Sequence, residues 1–147
     1  MACASTVAKY LLALVSEDDG DLMSNLKLQK LLYYVQGFHL AIYDAPLFPD
    51  PIEAWKHGPV VPSVYEEYRE HTRYGIPCPE GVLDEVNAAL TEAQKTLIAD
   101  VYREYGMYEA SVLLKMTHSE PPWRATRIGA VMDLDAMRQY FLTQVEG

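Results

Sequence analysis

The sequence predicts a mainly α-helical fold: a single compact domain of about six helices, with at most a short two-stranded β element near residues 50–60. Apolar residues recur at helical spacing through most of the chain. Five prolines between Pro46 and Pro62 interrupt that pattern at one place. Neither an internal repeat nor a Gly/Ser-rich linker divides the 147 residues. We therefore expect one domain over residues 1–147.

The first two helices are predicted from apolar periodicity and a polar cap. Apolar residues between Val7 and Val15 recur at helical spacing, and the segment closes at the turn-forming stretch "SEDDGDLMSN". Ser24 or Asn25 then caps a longer helix that stops at Asp44 and Pro46. Because this second helix consists mostly of large apolar and aromatic residues, we expect it in the middle of the domain.

The stretch "EAWKHGPVVPSVYEEY", residues 53–68, forms a proline-stiffened corner. Its prolines exclude a regular helix and leave room for a short strand such as "IEAW". Ser63 and Glu66 then have the spacing of a capping box, which predicts a helix over about residues 63–73. Such a rigid corner would lose little conformational entropy on binding a partner.

The second half of the chain predicts three further helices. Thr91 and Gln94 repeat the capping-box spacing before a helix that ends at Gly106. A further helical segment covers about residues 108–115 and leads into "MTHSEPPW", whose prolines fit the start of a helix but not its interior. Asp133 caps a last helix that reaches Val145.

Composition excludes several classes of function. The chain has 21 acidic and 12 basic residues, a net charge of -9, which opposes binding to nucleic acid and would attract a basic partner. No apolar run approaches the ~20 residues that span a bilayer, and no basic region precedes the N-terminal apolar segment. We expect a cytoplasmic protein that binds no membrane. The two cysteines have no spacing that indicates a disulfide framework or a zinc site.

The histidines give little support to an enzyme. None of the four has metal-ligand spacing, so we expect no metal and no other cofactor. His39 lies on the apolar side of the second helix, where a buried, hydrogen-bonded imidazole is expected, and His71 is expected to be exposed near a helix end. His57 could act as a base with Glu53, giving a small hydrolase, but an imidazole that bonds the turn backbone is the favoured interpretation. We expect no catalytic residue.

Two sets of residues are suited to recognition. Trp55 and Trp123 fit either a core or an interface anchor, and the sequence does not separate the two. The second helix carries polar residues that predict a solvated edge or, alternatively, a groove for an apolar segment of a partner. These polar residues are Lys27, Gln29, Lys30, Tyr33, Tyr34 and Gln36.

The combination of "MSNLKLQKLLYYVQGFHLA", "PLFPDPIEAWKHGPVVPSVYEEY" and "LLKMTHSEPPW" resembles the Panacea domain family, which includes SocA-like antitoxins and phage-associated GepA-like proteins. The resemblance is clearest over residues 4–128. It implies a mostly helical domain that acts as the antitoxin of a type II toxin–antitoxin system, neutralising by direct contact a cognate protein toxin encoded nearby. It also leaves open a proteolytic adaptor that delivers a partner to a protease, or a solitary phage or mobile-element protein. A homo-oligomer is possible in either case.

The resemblance and the pattern together give two groups of residues for the structure to place. The predicted partner-binding residues are Lys27, Lys30, Tyr33, Trp55, Lys56, His57, Pro59 and Tyr65. The predicted structural signature consists of Leu28, Gln29, Leu31, Gly58, Pro62, Ser63, Glu66 and Trp123.

Overall fold

The computed structural model describes residues 1–17, 22–71 and 75–145. Within those ranges the chain is mainly α-helical with one small sheet, as predicted. The elements in chain order are α1 (Ala4–Glu17), α2 (Asn25–Tyr43), β1 (Glu53–Trp55), β2 (Gly58–Val60), α3 (Pro62–Glu67), α4 (Val82–Ala89), α5 (Glu92–Tyr105), α6 (Ala110–His118), α7 (Pro121–Arg124) and α8 (Leu134–Leu142).

Helix α2 is the centre of the fold. Its first turn is capped by Ser24, whose hydroxyl accepts a hydrogen bond from the Lys27 amide at 3.2 Å. Its last turn closes at Asp44, which adopts the left-handed conformation with φ 55°. Between these ends α2 packs against α1, α5, α6 and α8, and most of its side chains are buried. The predicted central position is confirmed.

The predicted β element is a hairpin. Strands β1 and β2 pair antiparallel, with Ala54 opposite Pro59, and Lys56 and His57 form the turn between them. On its other edge β1 is bonded to the segment before α8: the Ala54 amide donates to the Ala130 carbonyl at 3.0 Å. Strand β2 lies against α2. Both strands are therefore held in place, and Lys56 and His57 of the turn are exposed.

The predicted capping box at Ser63 is wrong. Helix α3 begins at Pro62, one residue earlier, and Val61 at its cap position offers no side-chain acceptor. A proline suits this first position because its missing N–H would have no helical partner. The Ser63 hydroxyl instead donates to Asp50 at 2.7 Å, and Glu66 pairs with Arg69 at 3.3 Å. Helix α3 ends at Glu67, well short of residue 73, and residues 72–74 lie outside the described ranges.

Two other predicted caps are confirmed. Thr91 accepts from the Gln94 amide at 3.1 Å, and the Gln94 side chain accepts from the Thr91 amide at 2.9 Å. Asp133 accepts from the Ala136 amide at 3.0 Å at the start of α8. In both helices the cap and its partner are neighbours in sequence, and no distant side chain competes for the cap.

Helices α4 and α7 are additions to the predicted set. Helix α4 follows Gly81, and its buried residues are Val82 and Val86. Two apolar residues at helical spacing do not distinguish a helix from a loop in the sequence. It packs on α1. Helix α7 is a single turn whose first two residues are prolines, as expected for prolines at a helix start.

No helix within the described ranges combines the length and apolar character needed to cross a bilayer.

Candidate functional site

The polar side chains of α2 point into the protein. Gln29, Lys30, Tyr33, Tyr34 and Gln36 are each at most 1% exposed. The predicted solvated edge is therefore wrong. Burial of polar groups is costly unless each finds a hydrogen-bond partner. Each of the five does so on a segment distant in sequence, so α2 organises the loops and strands around it.

Gln29 and Asn25 fix the junction between β2 and α3. The Gln29 carbonyl oxygen accepts from the Val61 amide at 2.8 Å, and its amide group donates to Asn25 at 2.9 Å. Asn25 in turn donates to the Tyr65 carbonyl at 3.1 Å. These contacts supply acceptors and donors to a backbone that the prolines leave without regular partners.

Gln36 and His39 fix the loop that leads from α2 to the hairpin. Gln36 accepts from the Leu47 amide at 2.7 Å and donates to the Phe48 carbonyl at 2.9 Å. The His39 Nδ1 donates to the Ala45 carbonyl at 2.6 Å. Burial lowers the pKa of His39, and this backbone bond partly offsets the effect. The predicted buried, hydrogen-bonded imidazole is confirmed.

Lys30 of α2 contacts the hairpin from the interior of the protein. Its side chain is fully buried, and its Nζ donates to the Pro59 carbonyl at 3.2 Å. The described residues place no carboxylate within ion-pair distance of it. Burial lowers the pKa of Lys30 to about 7. The amine therefore loses its proton far more easily than a solvated lysine does.

Position 58, which packs against the Lys30 side chain, requires a glycine. Its φ is 100°, a conformation that other residues rarely adopt. A Cβ at this position would lie 2.7 Å from Lys30 Cε and 3.0 Å from the hydroxyl of Thr117. The Gly in "WKHGP" thus allows the turn to close onto α2 and α6, which explains why the corner combines stiffness with a glycine.

Glu120 joins α2 to the segment between α6 and α7. It is 7% exposed, and its two carboxylate oxygens accept from Tyr33 at 2.9 Å and from Tyr34 at 2.8 Å. Burial raises the pKa of Glu120, and the phenol hydrogen bonds act in the opposite direction. Burial beside this carboxylate also raises the pKa of Tyr140 to about 12. Local sequence patterns give no sign of this cluster, because Glu120 lies more than 80 residues from its partners.

The exposed part of the corner is small and aromatic. Lys56 and His57 are exposed at the turn. Trp55 is half-buried, donates its indole N–H to Glu53 at 2.9 Å, and meets the ring of Tyr65 edge-on at 5.1 Å. We call Trp55, Lys56, His57 and Tyr65 the hairpin face.

Trp123 and His118 support this face from the side. The Trp123 indole N–H donates to the Trp55 carbonyl at 2.9 Å, and its ring stacks on His118 at 4.0 Å. The His118 Nε2 donates to the Lys56 carbonyl at 3.1 Å. Both tryptophans are half-buried, so each contributes to packing while leaving an edge in solvent.

The predicted partner-binding residues divide into three groups. Lys30, Tyr33 and Pro59 are buried and do not form a surface: Lys30 bonds the hairpin, Pro59 belongs to it, and Tyr33 bonds Glu120. Lys27 is half-buried and donates to the Gly106 carbonyl at the end of α5. Burial lowers its pKa, partly offset by Glu109. The four residues of the hairpin face remain available to a partner.

Four of the eight signature residues lie in the interior: Leu28, Gln29, Leu31 and Gly58. Leu28 and Leu31 are fully buried in the core, and Gln29, Gly58 and Trp123 make the contacts given above. Pro62, Ser63 and Glu66 belong to the first turns of α3.

The hydrolase arrangement of His57 with Glu53 is not formed. The Glu53 carboxylate is engaged by Trp55, and no hydrogen bond of His57 to Glu53 or to the turn backbone occurs among the described contacts. His71 is exposed beyond the end of α3. Within the described ranges no three His, Cys, Asp or Glu side chains are grouped to hold a metal ion.

Comparison with known proteins shows which family this chain is similar to. A family model described as antitoxin SocA-like, Panacea domain, matches residues 28–124, which contain Lys30, the hairpin and Glu120. Antitoxin SocA of Caulobacter vibrioides (strain NA1000 / CB15N) is 54% identical over 43 residues, or 29% of this chain and 23% of that relative. The match therefore spans under a quarter of the relative's length. No solved structure gives a significant match.

Proposed function

Because the chain belongs to the SocA-like antitoxin family with a Panacea domain, we propose that it is the antitoxin of a type II toxin–antitoxin pair. It neutralises a cognate protein toxin, encoded beside it, by direct contact. The observation that supports this proposal is the match over residues 28–124, which includes the hairpin and the α2 side chains that hold it. The matched relative is itself named an antitoxin.

We place the contact with the toxin on the hairpin face. The backbone of this face is fixed by Lys30 and by the bond from Trp123 to Trp55, so little ordering is required on binding. Tryptophan and tyrosine are also the side chains that most often dominate interface energies. A rigid backbone that presents half-exposed aromatic rings beside a lysine suits the recognition of another protein.

Co-expression tests the proposal. The protein encoded next to this chain should stop growth when expressed alone. Expressed together with this chain, it should co-purify in a stable complex, and growth should return. The half-life of the toxin should stay unchanged; if the half-life falls while growth returns, the chain acts as an adaptor for a protease. A harmless neighbour that does not co-purify would contradict the proposal.

A charge reversal locates the contact. Lys56→Glu should weaken toxin binding by about tenfold or more, equivalent to about 1.4 kcal/mol, because it replaces an exposed cation at the turn with an anion. Titration calorimetry of the complex measures the change. Lys56 is exposed, so the melting temperature of the free protein should remain the same.

Arg103→Glu is the matched control for Lys56→Glu. It makes the same change of net charge on α5, where the side chain is 75% exposed and pairs with Asp100. Exposed pairs of this kind contribute little stability. If both variants weaken toxin binding equally, or if neither weakens it, the toxin does not contact the hairpin face.

A further inference from the structure

The cationic side chains of the described residues fall into two groups. Seven are already engaged: five take part in ion pairs, and Lys27 and Lys30 donate to backbone carbonyls. Four others are exposed and form no ion pair within the described part of the chain. These four are Lys56, Lys115, Arg124 and Arg127.

The four unpaired cations lie on the hairpin turn and on segments that contact the hairpin. Lys115 is one turn before His118 on α6, and His118 donates to the Lys56 carbonyl. Arg124 directly follows Trp123, whose indole is bonded to the hairpin. The Arg127 carbonyl accepts from the Ala130 amide at 2.9 Å, and Ala130 is bonded to β1. The cations thus belong to four neighbouring segments of one region.

This region contrasts with the rest of an acidic molecule. Between residues 110 and 131 the sequence has a single acidic residue, Glu120, and that carboxylate is buried against Tyr33 and Tyr34. Two apolar side chains, Ile128 and Val131, are each 57% exposed in the same segment. Glu53, which forms a β-bridge with Val131, accepts from Trp55, and Asp133 caps α8. We call the four cations with Ile128 and Val131 the basic face.

We propose that the basic face binds an acidic protein segment that also carries apolar side chains. This inference rests on the proposed function, since the basic face shares Lys56 with the hairpin face and its occupant would be a segment of the toxin. Unpaired cations gain a partner at little desolvation cost at an exposed surface, and opposite charges steer association. The two exposed aliphatic side chains favour a peptide over a polyanion without apolar groups.

A nucleic acid is the less suitable occupant. With a net charge of -9, most of the molecular surface repels a phosphate backbone, which extends beyond any four cations. A short acidic segment contacts the basic face alone. The sequence analysis expected a basic partner from net charge, whereas the local arrangement points to an acidic one, because binding depends on the charges at the contact.

Fluorescence anisotropy with defined probes tests the inference on the full chain. The probes are a dye-labelled peptide of repeated Glu-Glu-Leu triplets, the same peptide with glutamine in place of glutamate, and a single-stranded RNA of similar length. At about 50 mM NaCl the acidic peptide should bind at least about tenfold more tightly than the neutral one, and its affinity should fall as salt is raised to about 300 mM. Arg124→Gln/Arg127→Gln should remove most of that preference.

Arg69→Gln/Arg103→Gln is the matched control, because it removes two exposed arginines elsewhere with the same change of net charge. It should leave acidic-peptide binding unchanged. Equal affinity for both peptides, an equal loss in the control, or tighter binding of RNA than of the acidic peptide would each overturn the inference. If acidic-peptide binding behaves as expected but co-expression restores no growth, the proposed function fails and the basic face stands.

Discussion

Gly37→Ala should destabilise the fold by about 3 kcal/mol, although alanine ordinarily favours a helix interior over glycine by about 1 kcal/mol. A Cβ at position 37 would lie 2.1 Å from Cε2 and 2.2 Å from Cδ2 of Phe141. Phe141 is fully buried and meets the rings of Tyr33 at 5.4 Å and Phe38 at 4.9 Å, so it has little room to move. The close approach of α8 to α2 therefore depends on this glycine.

Urea unfolding of Gly37→Ala, Phe141→Leu and the double variant measures this effect. The smaller leucine should cost stability by itself, but it should make the added methyl group less harmful, so the two changes should not add. A Gly37→Ala protein as stable as the wild type would mean that α2 and α8 do not approach each other in this way.

Replacing Lys30 should change how stability depends on pH. Its folded-state pKa of about 7 lies below its ordinary value of 10.5, so between these values the unfolded chain binds more protons than the folded one. The free energy of unfolding should therefore rise with pH over this interval, by up to about 1.4 kcal/mol per pH unit. Lys30→Met removes the titrating group and keeps a side chain of similar length, so that rise should disappear.

Urea unfolding at several pH values between about 7 and about 10 checks this expectation, as the difference between wild type and Lys30→Met. Lys115→Met, at an exposed position on α6, is the control for the general effect of replacing a lysine by methionine. A difference between wild type and Lys30→Met that is constant over the interval would show that the buried amine carries no penalty for its charge.

The sequence predicted the elements that short-range signals determine. Periodic apolar residues gave the main helices, and the caps at Ser24 and Thr91 lie beside the amides they bind. The capping box at Ser63 failed because two features compete with it: Pro62 starts the helix one residue earlier, and Asp50, 13 residues away in sequence, accepts from the hydroxyl. Local spacing alone does not include such a distant acceptor.

The candidate site was predicted only in part, because its supporting contacts are long-range. The hairpin turn with Lys56 and His57 is exposed where proline and glycine chemistry indicated a corner. Lys30 and Tyr33, however, have partners 29 and 87 residues away, and helical spacing gave no reason to bury a lysine. Polar residues within an otherwise apolar helix were the available signal, since such residues in a central helix must find partners inside the protein.

These contacts give a physical account of the region that the family model matches. The α2 residues and the glycine of the corner hold the hairpin backbone in place from the interior. The hairpin face and the basic face are the exposed surfaces on the opposite side. Under the proposed function, a surface held in place in this way recognises a toxin without a conformational change of its own.

Amide hydrogen exchange of the chain, free and in complex with the protein encoded beside it, tests the central claim most directly. Binding of that toxin should slow exchange at residues 53–60 and 123–131, which contain the hairpin and all of the basic face except Lys115. Slowed exchange confined to other helices such as α1 or α5, with the hairpin amides unchanged, would contradict an antitoxin that acts through this surface.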